Sequence, residues 1–317
     1  MTWNALYGPL APERSCPDPV QTYHITNESG EGSVTMETVF PGVELCYNDM
    51  HLAWCNQEQP TAQNVIEINH CSVGRYECSF GENSCCYLAA GDFAVSAGTR
   101  KKSASCFPLR HYHGITLLVD LDALTPETRQ LMELFGIELE TIRQYICTGN
   151  RCCILRADPA VDAIFAALYA ARPPQNPGTR RLKVLELLLF LTGLDARAEL
   201  HQTAYFNQRQ VECAKWMAAR MTEDLQQHFT IEQLAQEAGL SPTALKTCFK
   251  GVYGKPVYTY LREYRLQAAQ KLLAETDASI ADIAHRVGYE NPNKFSSAFR
   301  QVCGMTPTEY RNGCPIG

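Results

Sequence analysis

Ile231-Glu-Gln-Leu234-Ala235-Gln-Glu-Ala238-Gly239-Leu240-Ser241-Pro242, followed by Leu245, Phe249-Lys250 and Gly254, decides the fold, because the chain contains it twice. The second copy reads Ile280-Ala-Asp-Ile283-Ala284-His-Arg-Val287-Gly288-Tyr289, then Asn291-Pro292, Phe295, Phe299-Arg300 and Gly304. Ile231, Leu234, Ala235 and Gly239 map onto Ile280, Ile283, Ala284 and Gly288 at an offset of 49. Leu245, Phe249, Gly254 and Tyr260 map onto Phe295, Phe299, Gly304 and Tyr310 at an offset of 50, which puts one inserted residue near the turn. A fixed-offset repeat is a fold-level signal; two copies are too few for a solenoid, so this is a duplicated module.

Each copy predicts a helix-turn-helix. Apolar residues at i, i+3 and i+4 give a short helix with one buried stripe. Gly239 and Gly288 follow, where a left-handed backbone lets the chain leave the helix sharply. Ser241-Pro242 and Asn291-Pro292 supply an N-cap and a proline at the first helical position, which restarts a helix. In the second helices Leu245, Cys248 and Phe249, and likewise Phe295, Ala298 and Phe299, form the inner faces. Thr243, Ala244, Lys246, Thr247 and Lys250 then face outward on one, and Asn293, Lys294, Ser296, Ser297 and Arg300 on the other. A linking helix runs from Val257 to Ala274, with Val257, Leu261, Tyr264, Ala268 and Leu272 at helical spacing.

Residues 211–312 resemble the DNA-binding domain of the AraC/XylS family of bacterial transcription regulators. The likeness extends to Leu-Arg262-Glu-Tyr-Arg265-Leu266, Val287-Gly288-Tyr289 and Gly304-Met-Thr306-Pro307-Thr-Glu309-Tyr310-Arg311. Leu245-Lys246, Phe249-Lys250, Tyr258-Thr-Tyr260-Leu261 and the stretch from Gly288 to Phe295 are more similar to the pyochelin-regulator branch than to the sugar-responsive one. The resemblance implies seven helices, double-stranded DNA as partner, and two recognition helices in successive major-groove segments. It puts Thr243, Lys246, Thr247, Asn293 and Ser297 where base-reading residues sit. Lysine suits guanine and asparagine suits adenine, while Ser and Thr are less selective. Lys250 and Arg300, at the far ends, are expected to hold phosphate, which sets register rather than sequence.

Charge divides the chain. Residues 209–317 carry 13 Lys and Arg against 11 Asp and Glu, a net of +2, whereas residues 1–208 carry 15 against 23, a net of −8. An acidic N-terminal part repels DNA, so it is not expected to form a second nucleic-acid surface. Met1 to Pro19 has no basic start followed by an apolar run. The most apolar segment, Val184 to Leu194, is interrupted by Glu186 and too short to span a bilayer. The expectation is a cytoplasmic protein without membrane association, its thiols mostly reduced.

Upstream, residues 20–121 read as short strands between turn signals. Val34 to Phe40, Val43 to Tyr47, Val65 to Cys71, Gly74 to Phe80, Phe93 to Val95 and Ile115 to Leu121 alternate with Pro41-Gly42, Gly81-Glu-Asn83 and Gly91-Asp92. They predict a small antiparallel barrel, which resembles the cupin-like sensor domain of the same family. Cys71-Ser-Val-Gly74-Arg75-Tyr-Glu77 and Phe107-Pro108-Leu-Arg-His111-Tyr112-His-Gly114-Ile115 again resemble the pyochelin-regulator branch. Thr125-Pro126-Glu127 starts a helix with Leu131, Leu134 and Phe135 on one face. Asp158-Pro159 opens another through Ile164, Phe165 and Leu168. From Arg181 to Gly193 the chain is apolar nearly all round, so that helix must be buried on more than one side, part of it in a homodimer contact. The expected α+β layout is thus a sensor barrel over 1–121, a helical dimerisation segment over 122–195, a linker over 196–210 and the DNA-binding domain over 211–317.

No enzymatic role is expected. His111-x-His113 resembles the metal-binding pattern of cupin enzymes, but the downstream acid is missing, so a cupin-type enzyme is disfavoured and a rim hydrogen bond is the plain role. Eleven of 15 cysteines precede the linker, including Cys85-Cys86 and Cys152-Cys153, yet no C-x-x-C pair exists. A metal- or thiol-sensing regulator using these cysteines is the alternative reading; a methyl-accepting repair regulator lacks its four-cysteine cluster. No cofactor or metal is expected. The leading reading is a ligand-responsive regulator. Its small-molecule effector is lined by the inward residues of Ile66–Cys71, Gly74–Phe80 and Phe107–Ile115, with Arg75 and His111 as polar contacts. The branch resemblance implies an iron-loaded siderophore as effector, and the family resemblance implies RNA polymerase as a further partner.

Overall fold

The computed structural model describes residues 20–55, 64–80, 84–97, 105–146, 153–155, 159–194 and 206–313. The chain divides into two compact units, Met1–Tyr205 and Phe206–Gly317. The expected Gly81–Asn83 turn, Cys152, Asp158, residue 195 and residues 196–205 of the expected linker lie outside the described residues.

In the first unit the chain runs through β1 (Val20–Asn27), β2 (Gly30–Phe40), β3 (Val43–His51) and β4 (Trp54–Cys55). It continues through β5 (Val65–Gly74), β6 (Tyr76–Phe80), β7 (Ser84–Leu88), β8 (Phe93–Ala97), β9 (Ser105–Cys106) and β10 (Tyr112–Asp120). Helices α1 (Pro126–Leu134) and α2 (Leu139–Ile146), strand β11 (Cys153–Leu155), and helices α3 (Pro159–Ala170) and α4 (Pro177–Thr192) follow. A seven-stranded antiparallel sheet is ordered β1-β2-β3-β10-β5-β8-β11, and β7-β6-β9-β4 form a second sheet. Among the described residues these strands do not close into a barrel. The cupin-like barrel is therefore corrected to a sheet domain. Its large sheet takes a late strand, β11, from the segment between the helices.

Alternation along the central strands builds two cores, one on each face. Val43, Leu45 and Tyr47 of β3, with Ile115, Leu117 and Val119 of β10, pack under α3 and α4 through Phe165, Leu168, Leu187 and Leu188. Cys46, Met50 and Leu118, on the other face, pack against Tyr76, Cys78, Cys86, Leu88 and Phe107. The hydroxyl of Tyr47 donates to the Leu168 carbonyl at 2.9 Å, and His70 Nδ1 lies 3.0 Å from the Tyr169 hydroxyl, tying α3 to the sheet. Buried Arg180 binds Glu37 through Nε and donates to the Ala171 and Gln175 carbonyls at 2.6 and 2.8 Å. This arrangement satisfies a charge that would otherwise be costly to bury.

Two helical faces differ from the expectation. In α1 the buried residues are Thr128 and Met132, one turn apart, while Leu134 and Phe135 are exposed at 81% and 47%. The Thr125 hydroxyl caps this helix by accepting from Thr128 N–H at 3.3 Å. Helix α4 buries Arg180, Val184, Leu185, Leu187, Leu188 and Leu191, yet leaves Leu182 and Leu189, seven residues apart, 64% and 45% exposed.

The second unit contains seven described helices: α5 (Gln208–Glu223), α6 (Ile231–Ala238), α7 (Pro242–Tyr253), α8 (Val257–Glu275), α9 (Ile280–Arg286), α10 (Pro292–Cys303) and α11 (Pro307–Gly313). The stripe expected on α8 is corrected: Val257, Leu266, Ala269 and Leu273 are buried, while Leu261 is half-buried and Tyr264 exposed. One helix here serves two cores on different faces. Its first half meets the first helix pair through Tyr260, whose ring lies 5.3 Å from that of Phe249. Leu266, Ala269 and Leu273 join Ile283, Ala284, Val287, Phe295 and Phe299 of the second pair.

Candidate nucleic-acid interface

Each helix pair is set by local chemistry. Thr230 caps α6 in a reciprocal capping box with Gln233, and Gly239 ends it at φ 64°. Ser241 Oγ accepts from Ala244 N–H at 3.2 Å to start α7, with Pro242 at the first helical position. In the second pair Ser279 caps α9, Gly288 adopts φ 83°, and Asn291 Oδ1 accepts from both Asn293 and Lys294 N–H to start α10. A left-handed residue followed at once by a side-chain cap fixes the angle at which the second helix leaves.

That angle decides which side chains face water. Leu245, Cys248 and Phe249 are buried, so Thr243, Lys246, Thr247 and Lys250 of α7 are exposed and Ala244 is half-buried. Phe295 and Phe299 are buried and Ala298 half-buried, so Asn293, Lys294, Ser297 and Arg300 of α10 are exposed. Ser296 differs from the outward expectation: it is half-buried, and its hydroxyl donates to the Pro292 carbonyl at 2.9 Å. A serine with its proton committed to the preceding turn retains only acceptor capacity. Ser296, Ser297, Arg300, Gln301 and Thr306 line one open groove. Exposed Gln301 was missed by the sequence reading, although it lies one helical turn beyond Ser297 on the same stripe.

Three other cations of this unit have structural partners. Arg265 Nη2 donates to the Leu225 carbonyl, Arg311 Nη2 to that of Ala278, both at 2.7 Å, and Lys255 pairs with Glu263. The exposed cations of α7 and α10 thus stand apart from those that knit the helices together.

In the first unit Arg75 and His111 lead in different directions, although Gly74 lies opposite Tyr112 in the β5–β10 register. The Arg75 guanidinium lies 5.5 Å from the centre of the Tyr87 ring. Burial pulls its pKa down, and Asp92 opposes that shift. Glu77, in β6, accepts from the Tyr87 hydroxyl at 2.8 Å. His111 turns to His51, Nδ1 to Nδ1 at 3.3 Å; burial, followed by His113 and His51, lowers its pKa. The rings of Tyr76, Phe107 and Tyr112 lie 5.2 to 5.9 Å from one another, Phe107 stacked on Tyr112 and the other two pairs tilted. No disulfide forms among the described cysteines, and burial pushes Cys55 and Cys71 up to about 12 and Cys153 to about 11. Such thiols stay protonated near neutral pH, which removes their nucleophilic form.

A helix ended by a left-handed glycine, then a capped second helix showing polar and cationic side chains, defines a helix-turn-helix DNA-binding protein. The helix-turn-helix domain family matches residues 234–313. A putative AraC-like transcription regulator of Streptomyces lividans is 39% identical over 83 residues, which is 26% of this chain and 27% of that protein. The HTH-type transcriptional activator RhaR of Klebsiella pneumoniae is 36% identical over 104 residues, 33% of this chain and 37% of the relative. The chain thus spans about a third of the length of the first curated relatives it matches. The RhaR of Mannheimia succiniciproducens is 34% identical over 207 residues, 64% of this chain and 72% of the relative. The chain belongs to the AraC family of helix-turn-helix transcription regulators, a family of regulators and not of enzymes. Among solved structures, the DNA-binding domain of AdpA in complex with a target DNA has 29% identity and a TM-score of 0.31, covering 32% of this chain and 90% of that one. ToxT from Vibrio cholerae has 12% identity and a TM-score of 0.30, covering 86% and 98%. No described helix is long and apolar enough to cross a membrane.

Proposed function

We propose that this chain is a ligand-responsive regulator that binds sequence-specific double-stranded DNA through two helix-turn-helix motifs, α6–α7 and α9–α10, and acts on transcription as an activator. The observation that carries the reading is the matched pair of second helices. Each is anchored by two buried residues four apart, Leu245 and Phe249 or Phe295 and Phe299, and each exposes an amphiphilic row of hydrogen-bonding and cationic side chains. In this reading Thr243, Lys246, Thr247, Asn293 and Ser297 read base edges, with Lys294 and Ser296 beside them, while Lys250 and Arg300 hold phosphate. Helix α8, with 19 residues, is about 28 Å long, which suits two reading helices entering the major groove roughly one turn apart. The activator role rests on the RhaR relatives, which are HTH-type transcriptional activators, and an activator implies RNA polymerase as a further partner.

The effector belongs to the first unit. Arg75 and His111 are its candidate polar contacts, and an iron-loaded siderophore is the class that the branch resemblance implies. The exposed Leu182 and Leu189 of α4 support a homodimer through that helix. A wild-type monomer at high concentration by light scattering, with and without DNA, would remove that part of the reading. The test of the whole is selection from a randomised DNA pool by the full chain. The expected result is an asymmetric site with two preferred blocks in successive major-groove segments. A single block, or no preference, refutes it.

A further inference from the structure

The face of the large sheet that carries Tyr47 and Ile115 toward the helices ends in a cluster of four titratable side chains. Strand β3 finishes with Asp49 and His51, and β10 is entered through His111 and begins Tyr112-His113. His113 pairs with Asp49 and Tyr112 with Met50 in the register, so His111 comes beside His51. Alternation with period two then puts Asp49, His51, His111 and His113 on that one face. One ring nitrogen from each histidine lies within 4.8 Å of the others. The ring centres of His51 and His111 are 5.0 Å apart, those of His111 and His113 4.6 Å, and those of His51 and His113 5.5 Å. Behind them, Asp49 Oδ1 is 2.9 Å from His51 Nε2 and 3.3 Å from His113 Nδ1.

We propose that His51, His111 and His113 form a binding site for a divalent transition-metal ion, with Asp49 orienting two of the three ligands. Two imidazoles that face each other Nδ1 to Nδ1 at 3.3 Å share at most one proton between them. That separation matches the edge of a tetrahedron around zinc, about 3.3 Å for zinc–nitrogen bonds of about 2.05 Å. The carboxylate supplies the second half of the argument. Asp49 Oδ1 stands 2.9 Å from Nε2 of His51, and a proton held on that nitrogen beside the carboxylate leaves the lone pair on Nδ1, the atom aimed at His111. The same oxygen engages Nδ1 of His113 and leaves Nε2 of that ring to coordinate. A carboxylate behind a ligating histidine, holding its far nitrogen, is the usual support of such ligands. Asp49 Oδ1 is itself buried and makes no well-formed hydrogen bond among the described residues; the two imidazole nitrogens are its close polar neighbours by distance alone.

Three nitrogens select zinc, copper, nickel or cobalt over calcium or magnesium, which require oxygen. His51 is exposed and the other two rings are half-buried, so water or an external donor can complete the coordination shell. The ligand spacing explains why the sequence did not reveal the site. Instead of a downstream acid, the third histidine comes 60 residues before His111, with the carboxylate two residues before that histidine.

The test uses the tag-free full chain, stripped with a chelator and titrated with Zn2+ by calorimetry and with Co2+ by visible absorption. The expected result is one Zn2+ per chain and a Co2+ spectrum without thiolate charge-transfer bands. His51→Ala, His111→Ala and His113→Ala each weaken Zn2+ binding at least about tenfold, and Asp49→Asn weakens it about tenfold to a hundredfold with all three ligands in place. Metal-free melting temperatures and circular dichroism equal to wild type tie the losses to the site; His111→Gln serves where the alanine variant does not fold. Absence of Zn2+ uptake at millimolar concentration overturns the proposal. So does uptake that persists in all three histidine variants with thiolate bands present, which assigns the metal to cysteines.

Discussion

The two helix pairs of the second unit are built with the same punctuation and set in different surroundings. In the first, Gly239 adopts φ 64° with no close backbone neighbour; the nearest atom to an added Cβ is Arg209 Nη2 at 3.5 Å, an ordinary contact with a side-chain end. In the second, Gly288 adopts φ 83° against the Leu225 carbonyl, where an added Cβ would collide with that oxygen and approach Arg265 Cζ to 2.8 Å. Arg265 comes from the linking helix and donates to the same carbonyl. The repeated residue has one conformational duty in both copies and a packing duty only in the second. Duplication preserves the backbone turn, while tertiary neighbours decide how much each turn matters.

The largest expected effect follows directly. Gly288→Ala should destabilise the protein by about 3 kcal/mol or more, because strain at positive φ adds to a backbone collision that cannot relax. Gly239→Ala should cost about 1 kcal/mol, the conformational term alone. Urea denaturation of the full chain followed by helical circular dichroism measures both. Equal losses would mean that the Leu225–Arg265 contact does not distinguish the two turns.

A smaller effect tests the division of labour along each reading helix. Lys250→Ala and Arg300→Ala should weaken binding to all DNA sequences alike. Each should lower the slope of log affinity against log salt by about one, since one phosphate contact releases roughly one counterion. An unchanged slope in either variant would move that residue off the phosphate backbone.

The helix pairs were legible in the sequence because everything that makes them is local: Gly239, Gly288, Ser241-Pro242 and Asn291-Pro292 act within a few residues of themselves. The outward rows on α7 and α10 then follow from 3.6-residue spacing, with Ser296 drawn partly inward by its bond to Pro292. The failures lie where distant segments decide. Helix α8 packs on two cores, so no single stripe describes it, and Tyr264 emerges where burial was expected. Strand β5 is buried on both faces from Val65 to Cys71, which leaves little alternation from which to read a layer. Strands β1, β7 and β11 gave no clear signal, and without them the sheets were read as a closed barrel. The histidine cluster needs the β3–β10 register, which no local pattern in the sequence specifies.

The central claim is that α7 and α10 read separate parts of one DNA site. Base-preference profiling of wild type, Lys246→Ala and Asn293→Ala on the same randomised pool tests it most directly. Each substitution should cost about 1–3 kcal/mol at its own position, with Lys246→Ala relaxing preference in one block and Asn293→Ala in the other. Loss of preference at the same bases in both variants, or a uniform loss across the site, would contradict the account.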